Sequence, residues 1–291
     1  MKRTTILLLF CAIFIQSNAQ FFPQINRASG YTVRDQATVS VYYQFTQQAM
    51  SGRTPVFLTD TTVLRIGNVY SLYYNWTSML RDSVFSAAAN QITPDRVREI
   101  NVIRNDDDFE NILRNMRGGT VNAQSERQSS TRFFKNRQTH TITSIDGNIT
   151  EMFLVEETIP PQEWTIFPDT MTVLNYLCFK ATTTFRGRNY IAWFTPDIPI
   201  NEGPWKIYGL PGLILRLEDE DGLFVHEAIG LTSHAERPIA MQDDAYTRAT
   251  NEQLQRWVEN RTFAQTVFSN GRLFVGNVRR TLTFHRREIG D

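Results

Sequence analysis

The chain has 291 residues, with 30 Lys+Arg against 30 Asp+Glu and a formal net charge of +0. That balance excludes a nucleic-acid or acidic-membrane binder driven by bulk charge. Hydrophobic residues make 41% and charged residues 21%, which excludes global disorder, and 2 Cys exclude a disulfide scaffold. The aromatic content, led by 20 Phe and 10 Tyr, favours strands over helical bundles.

Residues 1–19 read as a cleaved signal peptide. Lys2 and Arg3 form the positive region, Ile6 to Ile15 the apolar run, and Ser17-Asn18-Ala19 the small-x-small cleavage site. The run is too short to span a bilayer, which takes about 20 residues as a helix. Cys11 lies inside that run after Phe10, where a lipoprotein signal needs a small residue, so it is not a lipidation site. Cleavage removes Lys2, Arg3 and Cys11 and leaves one thiol, Cys178, which has no intrachain partner. No transmembrane segment is expected in the mature chain, and the expected location is the periplasm or the outer membrane's periphery.

Further along, Thr38 to Phe45 alternates Val39, Val41 and Tyr43 at period two, a strand. Val56 to Leu58, Thr62 to Ile66 and Val69 to Tyr74 follow, with Gly67-Asn68 as a turn, so the opening third reads as an antiparallel meander. Thr77 to Asn90 carries Met79, Leu80, Val84 and an alanine run and reads as helical. Pro94 to about Arg117 also reads as helical, and Gly118 to Ser130 as an exposed polar loop. A helical and loop insertion at about 94–130 therefore interrupts a single β-rich domain spanning 20–291. Ile142 to Ile145 and Ile149 to Val155 flank Asp146-Gly147; Val173 to Phe185 and Tyr190 to Thr195 flank Arg186 to Asn189. Leu213 to Leu217 and Leu223 to Leu231 flank the acidic run 218–221. Each set is a hairpin, and consecutive hairpins build an antiparallel sheet. Asn251 to Val267 reads as helix, Leu273 to Phe284 as a last strand or pair, followed by a basic tail.

No coherent catalytic constellation is visible. The four His (His140, His226, His234, His285) include no pair at helical ligand spacing, and His226-Glu227 departs from the zinc-protease motif. The acidic run lacks the spacing of a calcium loop and reads as a solvated turn. Cys178 reads as a buried small hydrophobe, although Lys180 two residues on could lower its pKa. Phosphate-binding, dinucleotide and nucleophile-elbow motifs are absent, so no catalytic residue, metal or cofactor is assigned.

The distinctive segment is Ala192 to Leu215, A-W-F-T-P-D-I-P-I-N-E-G-P-W-K-I-Y-G-L-P-G-L-I-L. Prolines at 196, 199, 204 and 211 prevent regular structure until Leu213, while Ile198, Ile200, Trp205, Ile207, Leu210 and Leu213 require burial. It reads as an irregular crossover against a sheet. Either it plugs the core, or it walls a hydrophobic cavity with Trp193, Trp205 and Tyr208 near the mouth. Those three, with Arg186 and Arg188, are the candidate ligand-binding residues.

The string Gly209-Leu210-Pro211-Gly212-Leu213-Ile214 resembles that of the GLPGLI family of exported Gram-negative bacterial proteins. The resemblance extends through Gly203-Pro204, Trp193-Phe194-Thr195-Pro196, Ile198-Pro199-Ile200, Tyr176, Cys178, Lys180-Ala181 and Arg186-Gly187-Arg188, covering roughly Trp164 to Leu217. Asn175 stands where the family pattern has glycine. The family supplies no reaction, ligand or partner to transfer. The combined expectation is a β-dominated α+β fold: a curved antiparallel sheet or half-open barrel of about eight to eleven strands, packed by a few helices. The expected function is noncatalytic binding of an apolar small molecule or a cell-envelope protein, with no nucleic acid as partner. An assembly factor acting through sheet edges or the insertion is the alternative, and a hydrolase or redox enzyme a weaker one.

Overall fold

The computed structural model describes residues 30–76, 99–103, 131–147, 152–242, 246–260, 263–269, 272–278 and 282–284. The signal segment, the helix read at 77–90, the loop at 118–130 and the basic tail lie outside them.

The described chain is β-dominated. In order it forms β1 (Tyr31–Ser51), β2 (Thr54–Ile66), β3 (Tyr70–Asn75), β4 (Glu99–Ile103), β5 (Arg132–Asn136), β6 (Thr141–Gly147), β7 (Met152–Thr158) and β8 (Thr165–Val173). Then come β9 (Tyr176–Phe185), β10 (Arg188–Thr195), β11 (Leu213–Asp219), β12 (Phe224–Gln242), β13 (Thr247–Arg248), helix α1 (Asn251–Asn260), β14 (Phe263–Ser269), β15 (Arg272–Val278) and β16 (Leu282–Phe284). The main sheet runs β13-β7-β6-β5-β3-β2-β1-β12-β11-β10-β9-β8, with β16 paired to β1, and has 13 strands, more than the sequence suggested. It is large, open and curved rather than closed, and antiparallel except where β13 joins β7 in parallel. A separate sheet, β14-β15-β4, contains the parallel pair β15–β4.

Three local readings change. Glu99–Ile103, inside the segment read as helical, is a strand. The C-terminal helix ends at Asn260, because Phe263–Ser269 pairs with Arg272–Val278. The run read as one strand from Val173 turns at once: Leu174 and Asn175 take φ 50° and 67°, separating β8 from β9. Asn tolerates this left-handed region better than most side chains, so it stands in for glycine there. At the start of α1 the Thr250 hydroxyl accepts the Gln253 N–H at 3.1 Å and the Gln253 side chain accepts the Thr250 N–H at 2.9 Å, a reciprocal cap.

Strand periodicity sorts the core onto two faces. Val41, Leu64 and Tyr73 are opposite one another on β1, β2 and β3 and join one cluster; Val63 and Tyr74, one residue out of phase, join the other. The first cluster takes residues from both wings of the sheet, Ile142 on one side and Ala181, Ala192 and Leu217 on the other, around Trp205, Ile207 and Leu210 of the crossover. One segment meets both wings only because the sheet bends round it, so the crossover lies on the concave side. On the outer face, Ala37 and Ile239 from the arms of β1 and β12 pack over Val63, Leu72, Tyr74 and Phe134. Register shifts at Val33/Asp35 and Ala37/Val39 bend that ribbon. Asp35 pins it: its carboxylate accepts the backbone N–H of Val69 at 2.6 Å, Tyr70 at 2.9 Å and Gln36 at 2.8 Å. A side chain at Gly67 would meet Asp35 Oδ2 at 2.5 Å, so the Gly67-Asn68 turn needs its glycine for this approach.

Candidate functional site

A buried irregular segment must satisfy its own backbone polar groups without a ladder. Here side chains do so. Gln162 Oε1 accepts the Tyr208 N–H at 2.8 Å, Asn201 Oδ1 accepts the Gly209 N–H at 2.6 Å, and Trp164 Nε1 donates to the Tyr208 carbonyl at 3.0 Å. The Tyr43 hydroxyl donates to the Ile214 carbonyl at 2.7 Å, fastening the far end to β1. Backbone bonds from Leu213 to Ile198 (3.0 Å) and from Ile214 to Glu202 (3.0 Å) fold the crossover onto the start of β11.

The family string has a steric logic. A Cβ at Gly212 would stand 2.2 Å from the Thr195 carbonyl oxygen, and one at Gly203 2.7 Å from the Ile207 oxygen and Ile214 Cδ1. Gly209 has φ +112°, a conformation that L side chains avoid. Trp205 is in the left-handed region without being glycine (φ 58°), held by Phe185 and Tyr190 rings at 5.8 and 6.2 Å.

Of the crossover's three charged residues, Glu202 and Lys206 are buried with it and Asp197 is exposed. Glu202 bonds Lys135 Nζ at 2.8 Å and faces Arg137 Nε at 3.2 Å, while Lys206 pairs with Glu157, which also takes Arg186 at 2.7 Å. Lys135 is 3% and Lys206 2% exposed. Lys135 and Glu157 share one face two strands apart, through the register Lys135, Ile142, Glu157, which is why the crossover meets both at once. Lys135 Nζ also stands 4.0 Å from the centre of the Tyr208 ring, whose hydroxyl donates to the Ile159 carbonyl and is 3.2 Å from His140 Nδ1. Burial pulls the Lys135 ammonium below the ordinary lysine pKa despite Glu202, and pushes the Tyr208 hydroxyl up.

The candidate ligand residues disperse around this plug. Trp205 and Tyr208 are buried within it, and Trp193 packs half-buried at its margin. Arg186, in the β9–β10 turn with φ 46°, reaches Glu157. Arg188 lies elsewhere, buried 3.2 Å from Asp219 and 5.3 Å over the Phe224 ring. Gly203, Pro204, Leu210, Gly212, Leu213 and Ile214 are buried, while Pro211 is exposed. Lys135, Glu157 and Lys206 escape the motif reading; the one signal is the pair Glu202 and Lys206 among the apolar residues that follow Asn201. Asp219 corrects the solvated-turn reading. It is buried, accepts the Phe224 N–H at 2.7 Å and pairs with Arg188, and burial raises its pKa against both partners.

Cys178 is fully buried, and burial pushes its thiol up to about 11. The Lys180 ammonium stands 5.7 Å from the Phe167 ring centre and does not lower the thiol, in keeping with the reading of Cys178 as a buried small hydrophobe. His226 stacks on Phe45 at 4.4 Å and Glu227 pairs with Arg216, so the two serve separate structural contacts. Among the described residues, no three His, Cys, Asp or Glu side chains converge on a metal-sized site.

At the opposite end of the sheet order from β13, β8 pairs only with β9 among the described residues. A bulge between Ile166 and Thr170 holds Pro168, which fits an edge strand because proline lacks the N–H of a central one. Ile166 and Phe167 on β8, and Leu177 on the adjoining β9, are exposed.

Residues 183–216 match a family model described as a protein of unknown function (Porph_ging), covering β10, the crossover and most of β11. No curated protein matches. Two crystal forms of PNGF-II, in space groups P21 and C2, are similar at 15% and 14% identity with TM-scores of 0.47 and 0.46, over 80% and 79% of this chain. The chain spans 35% of the length of each, and at these values the likeness carries no functional argument.

Proposed function

We propose that the chain belongs to the GLPGLI family and is an exported, noncatalytic cell-envelope protein that binds another envelope protein along β8. The export reading is supported by the charged, apolar and small-residue order of 1–19, and the family reading by the motifs within 164–217. One contrast supports the partner over an apolar small molecule. Trp205 and Tyr208 of the crossover are buried against other side chains, whereas Ile166 and Phe167 of β8 and Leu177 of its neighbour β9 are exposed, and the outer backbone groups of β8 have no strand partner among the described residues. An extended segment of a partner adds to such an edge by main-chain hydrogen bonds, with alternate side chains meeting the apolar ones.

Photo-crosslinkers placed at Thr165 and Thr170 in cells expressing the full chain test this. The expected result is a discrete adduct that Ile166→Lys or Leu177→Lys removes. The same adducts from a probe at Arg53, in the β1–β2 turn, or none from β8, would overturn it. Peptide mass spectrometry of the recovered protein is expected to find Gln20 at its N-terminus; an intact residue 1–19 segment overturns the export reading.

A further inference from the structure

Outside the crossover and the β8 edge, one cluster of polar groups is buried without balance. Arg65, on β2, is 9% exposed. Its hydrogen bond runs from Nη1 to the Pro238 carbonyl at 3.3 Å, and its guanidinium lies 5.2 Å over the Tyr74 ring. A guanidinium carries five N–H donors, and among the described residues no carboxylate stands within ion-pair distance of this one. Directly opposite Arg65 on β1 is Ser40; Tyr74 is opposite Val63 on β3, one pleat along. Period two puts Ser40, Arg65 and Tyr74 on the outer face together.

Ser40 and Tyr74 are each 1% exposed, and among the described residues Ser40 Oγ has no hydrogen-bond partner and the Tyr74 hydroxyl has no acceptor for its proton, its polar neighbour being the Arg65 guanidinium. A buried unsatisfied hydroxyl costs about 1–3 kcal/mol, and a buried charge without a counter-charge several. Three such groups on neighbouring positions share one remedy: an acceptor with negative charge, taking two hydroxyl donors and the guanidinium fork. Arg237, exposed on the β12 arm, adds positive charge that acts on Tyr74. Burial pushes the Tyr74 hydroxyl above its ordinary value, overcoming Arg65 and Arg237, so it remains a donor at neutral pH.

We propose that Arg65, Ser40 and Tyr74 form a binding site for a small oxyanion, a carboxylate or a phosphate, on the outer face beneath the β1–β12 arm. The site is independent of the crossover and of the β8 edge.

The test uses the full mature chain, titrated with sodium phosphate or sodium acetate at ionic strength held constant with sodium chloride, and followed by thermal unfolding. A bound anion raises Tm saturably by mass action. The expected result is a saturable rise with one of the two, phosphate marking a tetrahedral and acetate a planar ligand. Tyr74→Phe keeps the ring and removes one oxygen whose proton has no acceptor among the described residues; it should bind about tenfold more weakly, the loss of one charge-assisted hydrogen bond. Ser40→Ala should weaken binding in the same direction, and Arg65→Met should abolish it. No rise beyond that given by chloride, or equal affinity in wild type and Tyr74→Phe, overturns the site.

Discussion

The sheet buries cations on both faces, and treats them differently. On the concave side Lys135 and Lys206 are 3% and 2% exposed, and each touches a carboxylate. On the outer side Arg65 is 9% exposed and touches a backbone carbonyl and an aromatic ring. In the first arrangement each buried ammonium has its own carboxylate: Glu202 and Glu157 come from, or face, the crossover itself, so charge complementarity and chain path are fixed together. The second leaves donors available. Burial alone therefore does not separate a structural cation from a binding cation; the identity of its neighbours does. A buried ion pair is weak evidence for net stability, but removing one member leaves the other stranded.

The largest expected effect breaks the pairing on the concave side. Glu202→Ala leaves Lys135 buried opposite no carboxylate and should cost about 3–5 kcal/mol in urea unfolding. Adding Lys135→Met should recover a large part, because both charges then leave together. If Glu202→Ala unfolds at the wild-type midpoint, the crossover is not held by this pair.

A smaller effect is expected from Gly212→Ala, whose Cβ would lie 2.2 Å from the Thr195 oxygen. The atom it meets is a buried backbone oxygen rather than the end of a flexible side chain, so overpacking should cost about 1–3 kcal/mol. The same change at Gly222, where φ is +68° and no atom lies within 4 Å, should show only the backbone strain of a turn. Comparing their denaturation midpoints separates crowding from conformation.

The smallest effect sharpens the outer side. Burial raises the Asp35 carboxyl, but three backbone N–H donors and Arg137 outweigh it and hold the group below its ordinary value. A carboxylate with a depressed folded pKa stabilises the fold above its unfolded value of about 4, and that contribution is lost as pH falls through the folded one. Asp35→Asn should cost about 1–2 kcal/mol at pH 7 and flatten the acid side of the stability profile. Its arm should also loosen over Ser40 and Arg65, seen as faster amide exchange at 36–40. An unchanged profile between pH 5 and pH 2 would contradict this account of the arm.

Much of the sheet could be read directly. The Arg186-Gly187 turn, the acidic β11–β12 turn and the alternation in β1 identify pairs of neighbouring strands, because hairpin chemistry is local. The final hairpin was equally legible in Asn270-Gly271, which stands between the strands Phe263–Ser269 and Arg272–Val278, yet the amphipathic pattern beginning at Leu254 masked it. The Leu174–Asn175 turn was only half legible: Asn175, standing where the family pattern has glycine, marks a left-handed position, whereas a leucine at φ 50° is held by its surroundings and advertises nothing. Of the candidate site, the crossover and its glycines could be located from composition. Its ionic partners could not, because Lys135 and Glu157 are ordinary charged letters at ordinary strand positions.

The amino-acid sequence by itself determined the β-dominated class, the hairpin turns and the irregular path between Thr195 and Leu213, since proline and glycine restrict backbone angles wherever they stand. Tertiary structure alone decided which charges become buried and which are balanced. Ion pairs such as Lys135–Glu202 join residues 67 apart in the chain, and Arg65 meets Pro238 at a separation of 173. Such meetings depend on how the sheet bends, and the bend is a property of all its strands together.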